Sequence, residues 1–316
     1  MVNPLKPKKT ATDLITELKN KGVNFLLVSE NDAMTYLRKN NYLRTSSYRR
    51  NFGKNQKGNN TGKYYDLDFG YLMELASIDQ ELRSILLNMC IDIEHAIKSQ
   101  LLYTIENNPA EDGYHIVDEF LIKYPRVGKD IEKKSNAIFT ERLIHKYFVF
   151  NGNNILYSIC PVWVLVELIT FGDLLNLVYL YNQLYPLKPC SIPTYNEISP
   201  VKSLRNACAH DNCLLNDMRQ TTTTRPTGAI VGFVQKMGLF SSTQIRKKLS
   251  CRPTFEIVSL IYFYDRIVLE DTRSSELKKL NDFVHNRMHL HIDYFKNNKI
   301  ITSTFEFFGK VLDFIT

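Results

Sequence analysis

The feature that most constrains this chain is a long run in which apolar side chains recur at every third or fourth position. The run extends from about Phe69 to Glu106. Its periodicity is defined by Leu75, Ile78, Leu82, Ile85, Met89, Ile93, Ala96 and Gln100. This spacing places the eight side chains on one face of an α-helix. The run therefore predicts one long amphipathic helix against which shorter elements can pack.

Shorter helical patterns occupy most of the remaining chain, and strand-like alternation is scarce. Helices are expected at residues 10–21, 30–40, 129–149, 161–185, 256–269, 274–296 and 303–315. A further helix is expected to open at Ser199-Pro200, because serine is a preferred N-cap and proline suits the first helical position. Phe139 and Trp163 are expected on apolar, core-facing sides of their helices. The predicted fold class is all-α.

Composition places the chain among globular proteins and favours a reducing environment. Hydrophobic residues make up 44% of its 316 residues and charged residues 23%, which is typical of a folded chain. The net charge of +7 suits an anionic partner such as a nucleic acid. None of the six cysteines forms a CxxC pair, so neither a zinc ribbon nor a redox motif is indicated.

The most apolar stretch, residues 155–175, is interrupted by Pro161, Glu167, Gly172 and Asp173. A buried helix explains this stretch better than a membrane span. The first residues, MVNPLKPKKT, are basic but are not followed by an apolar run, so no secretory signal is expected. We therefore expect a cytoplasmic protein without a membrane segment.

The segment RNACAHDNCLLND, residues 205–217, combines an arginine, an amide and a histidine with small residues. On a helix, Val201, Leu204, Ala207 and Cys208 share one side. The opposite side holds Lys202, Arg205, Asn206, Ala209 and His210. Asn206 and His210 are four residues apart and are therefore neighbours. The polar side thus presents a guanidinium, an amide and an imidazole around a shallow gap at Ala209.

This set of groups suits phosphodiester cleavage in RNA. An imidazole changes its charge near neutral pH and can take the proton of a 2′-hydroxyl. A guanidinium stays charged and can stabilise the negative charge of the phosphoryl transition state. No metal and no cofactor is needed, because the 2′-hydroxyl is an internal nucleophile. A solvated helix surface or a structural Arg–His pair is the alternative interpretation of the same residues.

The segment resembles the R-N-x-x-A-H signature of the Abi family of abortive-infection proteins, whose core is similar to HEPN ribonucleases. Further segments resemble this family in the same order: KNNYLRTSSYRRNF (39–52), LLNMCIDIEHAIKSQLL (86–102) and PVWVLVELITFGDLLNLVYLY (161–181). The resemblance covers roughly residues 10–217. One departure is that many relatives continue with a second histidine and an Arg-Leu pair, whereas here Asp211 follows His210 and Cys213 replaces the arginine.

The resemblance implies an all-α, HEPN-like bundle and a toxic endoribonuclease of phage defence that leaves a 2′,3′-cyclic phosphate. It implies an N-terminal helical region with a basic loop (1–66), a catalytic core (67–217) and a C-terminal helical region (218–316). Arg205 and His210 are the implied catalytic residues, with Asn206 positioning His210 or the phosphate. The implied supporting residues are Glu94 and Lys202. For Glu94 an intrahelical salt bridge to Lys98 stays open.

Expected partners are an RNA substrate and a neutralising RNA or protein antitoxin. HEPN ribonucleases commonly pair two motifs across a dimer, so the single motif of this chain implies a homodimer. A non-catalytic RNA-binding module, or a protein-interaction module of the same kind of defence system, is the alternative function.

Two further clusters are candidate binding sites. Residues 44–66 form a basic segment with interleaved aromatic residues, and the expected RNA-binding residues in it are Tyr48, Arg49, Arg50 and Lys54. A solvated loop is the alternative. His285, His289 and Asp293 are spaced for one helix face and could ligate zinc. We prefer a solvated polar face there, because no HExxH glutamate and no fourth ligand are present.

Overall fold

The computed structural model describes residues 7–151, 154–219 and 225–316, and these residues form an all-α fold. The N-terminal helices are α1 (Ala11–Asn20), α2 (Glu30–Lys39), α3 (Tyr42–Ser47) and α4 (Phe69–Glu106). The central helices are α5 (His115–Lys123), α6 (Pro125–Glu132), α7 (Glu141–Tyr147), α8 (Val162–Leu168), α9 (Phe171–Leu184) and α10 (Tyr195–Ala209). The C-terminal helices are α11 (Gly228–Lys236), α12 (Ser242–Leu249), α13 (Arg252–Ile267), α14 (Glu270–His285) and α15 (Lys299–Asp313).

The described part contains one strand pair, an antiparallel hairpin of β1 (Phe148–Asn151) and β2 (Asn154–Ser158). Its register pairs Phe148 with Ser158 and is irregular after Val149. Short 3-10 helices lie at Tyr48–Asn51, Arg287–His289 and Ile292–Phe295. No helix among the described residues is both long enough and apolar enough to cross a membrane.

The long helix α4 begins at Phe69 and ends at Glu106, as predicted from the periodicity. Its start is favoured by Asp68, whose carboxylate accepts the N–H of Gly70 at 2.8 Å. Five of the eight periodic residues are buried, namely Leu75, Ile78, Leu82, Met89 and Ile93, and the other three are half-buried. The predicted apolar face is therefore confirmed.

Three expected helices are each divided into shorter elements. The helix predicted at 274–296 ends at His285 and is followed by two 3-10 helices. The prediction of a single helix at 129–149 was wrong, because turns separate α6 from α7. Phe139 lies in these turns and is 95% exposed instead of packing inward. The helix predicted at 161–185 is broken after α8. There Thr170 caps α9 by accepting the N–H of Asp173 at 3.2 Å.

The helix α10 begins earlier than its Ser-Pro pair predicts. Thr194 precedes it, and the Thr194 N–H and hydroxyl donate to Glu197 at 2.9 and 2.7 Å. Pro200 therefore lies inside the helix. The hydroxyl of Ser199 donates to the Asn196 carbonyl at 3.1 Å. That carbonyl is the one an N–H at position 200 would use, so it keeps a donor.

The described residues divide into two compact units, and each unit is built from segments that are not consecutive in the chain. The first unit contains residues up to Met89, together with Ser203–Asp265 and Glu270–Thr316. The second contains Cys90–Lys202 and Arg266–Leu269. The helices α4 and α10 each contribute residues to both units.

In the second unit, the buried carboxylate of Glu111 organises the chain after α4. It accepts the N–H of Gly113 at 2.8 Å and the hydroxyl of Tyr185 at 2.6 Å. Lys98 pairs with Glu167 at 3.2 Å. Trp163 is 51% exposed, so its predicted place in the core was wrong. The side of α8 that faces inward consists of Val162, Val164, Leu165, Val166 and Leu168.

In the first unit, the carboxylate of Asp79 on α4 is fully buried and has four donors. Oδ2 accepts the Tyr48 hydroxyl at 2.9 Å and pairs with the guanidinium of Arg83. Oδ1 accepts the N–H groups of Leu214 and Leu215 at 2.9 and 2.7 Å. These contacts tie α4 to the 3-10 helix at Tyr48–Asn51 and to the chain that follows α10. A buried charge of this kind is stable only when it is paired and hydrogen-bonded.

Replacing Asp79 with alanine is expected to lower the free energy of unfolding of the first unit by about 3–5 kcal/mol. The reason is that Arg83, which is 4% exposed, keeps only the partly exposed Asp211 as a carboxylate partner, while two backbone N–H groups lose their acceptor. Urea unfolding measures the change. The control is Asp282→Ala on the exposed side of α14, which should stay within about 0.5 kcal/mol of the parent. Equal effects of the two substitutions would contradict the role of Asp79.

Candidate active site

The Arg-Asn…His residues lie at the C-terminal end of α10. Arg205 and Asn206 occupy its last turns, and His210 is the first residue after it. Asn206 and His210 are exposed, and Arg205 is half-buried. On the other side, as predicted, three residues are buried: Val201, Leu204 and Cys208. The helix therefore presents the polar groups and packs through the apolar ones.

The helix ends in a turn that sets the direction of the chain after His210. The N–H of Asp211 donates to the Cys208 carbonyl at 3.1 Å, and the N–H of Asn212 donates to the Ala207 carbonyl at 2.9 Å. This pair of bonds is a Schellman motif. Its left-handed position is usually glycine, but here it is Asp211 with φ of 57°. That conformation costs an L-residue roughly 1–2 kcal/mol, although aspartate tolerates it better than most.

The side chain of Asp211 offsets this cost because two arginines hold it. Nη2 of Arg44 donates to Oδ1 at 2.9 Å, and Nη1 of the same guanidinium contacts Oδ2. Nη2 of Arg83 lies 2.8 Å from Oδ1. Burial lowers the pKa of Arg83, and the like charge of the neighbouring Arg44 also lowers it. The residue next to His210 is thus anchored to α3 and to α4.

Arg205 and Asn206 interact directly, since Nη1 of Arg205 donates to Oδ1 of Asn206 at 3.2 Å. The contact orients the amide and leaves both groups at the accessible end of the helix. Lys202 lies earlier on α10, in the second unit, and its Nζ donates to the Tyr195 hydroxyl at 2.6 Å. Glu94 belongs to the second unit as well. The roles of Lys202 and Glu94 beside the Arg-Asn…His residues remain predictions.

The basic segment is more ordered than a solvated loop, and one of its assignments needs correction. Tyr48 is 1% exposed, and its hydroxyl donates to Asp79. Burial raises the pKa of this hydroxyl above its usual range, so it stays a donor. Its ring has no free face for a base, and the prediction that Tyr48 stacks RNA was wrong. The mistake arose because a buried tyrosine and a base-stacking one look alike in a basic, aromatic stretch.

The basic residues after Tyr48 surround the ring of Tyr64. The guanidinium of Arg49 lies 5.9 Å from its centroid, and Nζ of Lys54 lies 5.0 Å from it. Arg50 and Lys54 are exposed and Arg49 is half-buried. The cation–π contacts hold the two cations on one aromatic platform. RNA binding by Arg49, Arg50 and Lys54 stays a prediction.

The three candidate zinc ligands do not share a helix face. The helix α14 ends at His285, and His289 and Asp293 lie in two separate 3-10 helices. His285 pairs with Asp313 at 2.8 Å, and His289 Nδ1 lies 2.8 Å from the Val284 carbonyl. Among the described residues, no group of three or more His, Cys, Asp or Glu side chains is placed to hold a metal ion.

A cavity of about 690 Å³ opens beside the Asp211 turn in the first unit. Its wall includes both Arg44 and Asp211, so the ion pair next to His210 faces this space. No motif in the sequence predicts a role for Arg44, Arg83 or Asp79. The one signal in the sequence was Asp211 itself, a charged residue that directly follows His210.

The chain belongs to the Abi-like protein family, because the profile of that family matches residues 35–216, more than half of the chain. Arg44, Asp79, Arg83 and the Arg-Asn…His residues all lie within the matched range. No curated protein and no solved structure matches the chain. Membership of this family suggests a role in abortive infection, a form of phage defence.

Replacing Asp211 with asparagine should loosen the chain after His210 without changing its backbone preference. Asparagine tolerates the left-handed conformation as well as aspartate does, so only the charge for Arg44 and Arg83 is lost. We expect faster amide hydrogen exchange at residues 212–215, measured by mass spectrometry.

Asp66→Asn is the matched control for this experiment. Asp66 also has a positive φ, of 53°, and it accepts a hydrogen bond from Asn297 at 2.7 Å. This second substitution should leave exchange at residues 212–215 unchanged. Unchanged exchange in the Asp211 variant would show that the two arginines do not anchor the turn.

Proposed function

We propose that this protein is an endoribonuclease that acts in abortive infection. The 2′-hydroxyl of a ribose attacks the adjacent phosphorus, the bond to the 5′-oxygen breaks, and a 2′,3′-cyclic phosphate remains. The observation that carries the proposal is the accessible turn at the end of α10. There Arg205, Asn206 and His210 are presented together while Asp211 anchors the backbone behind them.

Each of the three residues has a distinct role in this chemistry. His210 takes the proton of the 2′-hydroxyl or gives one to the leaving 5′-oxygen. Arg205 stabilises the charge that develops on the phosphoryl oxygens, with a planar fork that stays protonated. Asn206 contacts the phosphate or positions His210. An anchored backbone matters because a catalytic group is effective only when it is held in the productive geometry.

The biological partners follow from the proposed activity. The substrate is cellular or phage RNA, and a toxic nuclease needs a neutralising RNA or protein partner until infection. The exposed cations Arg50 and Lys54 would hold RNA by its backbone. The whole-chain charge of +7 favours encounter with RNA.

His210→Ala is expected to reduce RNA cleavage by about 10²–10⁴-fold, the usual contribution of a general acid or base. Purified protein is incubated with RNA, and the new ends are sequenced after treatment that distinguishes cyclic phosphates. His145→Ala, which removes an exposed histidine from α7, is the control and should cleave normally. The fold of both variants is checked by circular dichroism.

The same assay separates this proposal from its alternatives. Full activity of a folded His210→Ala protein would remove His210 from the mechanism. RNA binding without new cyclic-phosphate ends, even for the parent protein, would identify a non-catalytic RNA-binding module. Toxicity that survives loss of both Arg205 and His210 would point to a protein-interaction module. Loss of cleavage in excess EDTA with rescue by a metal would replace the proposed mechanism with a metal-dependent one.

The proposal includes a two-fold homodimer with the ends of the α10 helices facing each other. In-line cleavage uses a base on one side of the phosphate and an acid on the other, and each chain supplies one Arg-Asn…His set. Ala209, which lies between Asn206 and His210 in the sequence, is small and exposed, so a second copy of the chain can approach closely. A two-fold axis beside Ala209 would bring in a second His210 and a second Arg205.

Mixing Arg205→Ala chains with His210→Ala chains tests this dimer. If the cleft is composite, the heterodimer should recover part of the cleavage activity that neither homodimer has. Cleavage is measured on the mixture and on each variant alone at equal total concentration. A parent protein that is fully active as a monomer at all concentrations would contradict the composite site.

A further inference from the structure

The cavity beside Asp211 has the size and the lining of a small-ligand site. Its volume of about 690 Å³ falls within the range of about 300–1,000 Å³ typical of ligand pockets. Every residue of its wall belongs to the first unit. Aromatic rings, amides, hydroxyls and two cations contribute to the wall. Arg205, Asn206 and His210 of the candidate active site are not among the lining residues.

A column of stacked rings ends in this cavity. The ring of His291 lies parallel to that of Tyr294, with centroids 4.9 Å apart and an angle of 12°. Tyr294 stacks on Tyr71 at 5.4 Å, and Tyr71 stacks on Phe52 at 6.2 Å. Both His291 and Tyr294 line the cavity. Within the described residues, Tyr294 is the one ring neighbour of His291, so a flat ligand can extend the column there.

The charges of the wall favour an anionic group on the ligand. Lys39 is exposed and has no ion-pair partner among the described residues. Of the two carboxylates in the wall, Glu74 pairs with Arg287 at 2.5 Å, and Asp211 is held by Arg44 and Arg83. Because both carboxylates are neutralised by other residues, the charge of Lys39 is left to attract a phosphate.

A flat aromatic ring joined to a phosphate describes a nucleotide. The amide of Gln80, which is exposed, also lines the cavity and can bond to the edge of a base. A base stacked on an aromatic side chain is the common way in which proteins hold unpaired nucleotides. The cavity therefore offers the three kinds of contact that a nucleotide needs.

A second, smaller cavity shows how a strand can continue past the first. It has a volume of about 300 Å³ and shares Tyr294 with the larger cavity. Arg219 and Lys299 line it, and both are exposed. Cations therefore lie in the walls on both sides of Tyr294, an arrangement that can follow the phosphates of a strand longer than one nucleotide.

The geometry points to a nucleotide subsite in the larger cavity, where one base stacks on His291 and a phosphate contacts Lys39. The inference rests on the proposed function for its expected source, an RNA strand whose cleaved bond lies near His210. Asp211, which is adjacent to His210 in the chain, forms part of the cavity wall. The subsite would then hold a nucleotide beside the bond that is cut. A free nucleotide has the same chemistry and is distinguished by experiment.

Binding of a fluorescent ten-nucleotide RNA with 2′-O-methyl riboses tests the subsite, because such RNA has no free 2′-hydroxyl and cannot be cut. His291→Leu removes the aromatic face and should weaken binding by about 5- to 100-fold, the usual effect of losing one stacked base. His291→Phe keeps a flat ring and should bind nearly as tightly as the parent. Thermal unfolding confirms that both variants are folded.

Lys39→Gln tests the phosphate contact through the salt dependence of the same binding. Losing one phosphate contact should reduce the slope of log affinity against log salt by about 1. Lys278→Gln is the matched control, since Lys278 is also an exposed helix lysine without an ion pair in the described residues. Its slope should equal that of the parent.

Competition by the four nucleoside monophosphates identifies the source of the nucleotide. Displacement of the RNA at millimolar concentrations or above supports an RNA strand, and displacement at micromolar concentrations supports a free nucleotide. The inference is overturned if His291→Leu and Lys39→Gln bind as the parent does, if His291→Phe is as weak as His291→Leu, or if the parent binds neither RNA nor nucleotides.

Cleavage of unmodified RNA separates this inference from the proposed function. Normal cleavage by the His210→Ala protein, with RNA binding that still depends on His291, would end the proposed mechanism and leave the subsite in place. Cleavage that requires His210, with binding and KM insensitive to His291 and Lys39, would end the subsite and leave the mechanism. If both hold, His291→Leu raises KM while kcat stays close to that of the parent.

Discussion

The buried carboxylate of Asp79 is the interaction on which the arrangement of the first unit depends. A charged group without access to water needs its full set of donors nearby, and here these come from three parts of the chain. Tyr48 comes from the N-terminal region, Arg83 from the same helix, and two backbone N–H groups from the segment after α10. Displacing any of these parts leaves a buried polar group without a partner, so one carboxylate holds them in register.

The same network reaches the candidate active site through Arg83. This guanidinium contacts Asp79 on one side and Asp211 on the other, and Arg44 completes the pairing of Asp211. Asp211 adopts a left-handed backbone conformation, and this conformation lets the chain turn sharply after α10. The core thus holds the residue after His210, whereas Asn206 and His210 themselves face solvent. Anchored backbone behind accessible polar groups is the arrangement that a catalytic or binding site requires.

The long helix and the polar face of α10 were predictable because both depend on residues three or four positions apart. The start of α10 was not predictable in this way. Ser199-Pro200 satisfies the rules for a helix start, but the helix actually begins after Thr194, which bonds to Glu197. Trp163 is predicted in the core because it is a large apolar residue, and Phe139 because its spacing fits the apolar side of a helix. Their exposure depends on which side of a short helix or turn meets the rest of the unit, and this is a tertiary property.

The sequence by itself determined that the chain is all-α, where its longest helix begins and ends, and which polar residues share the end of α10. These are local properties, set by the periodicity of side chains along a helix. Only the tertiary structure decided that Tyr48 is buried, that Asp211 is held by two arginines, and that His291 and Lys39 line one cavity. Arg44 and Asp211 are 167 positions apart, and Asp79 and Leu214 are 135 apart. At such separations no local pattern specifies a pair, because the contact exists only once the intervening helices have packed.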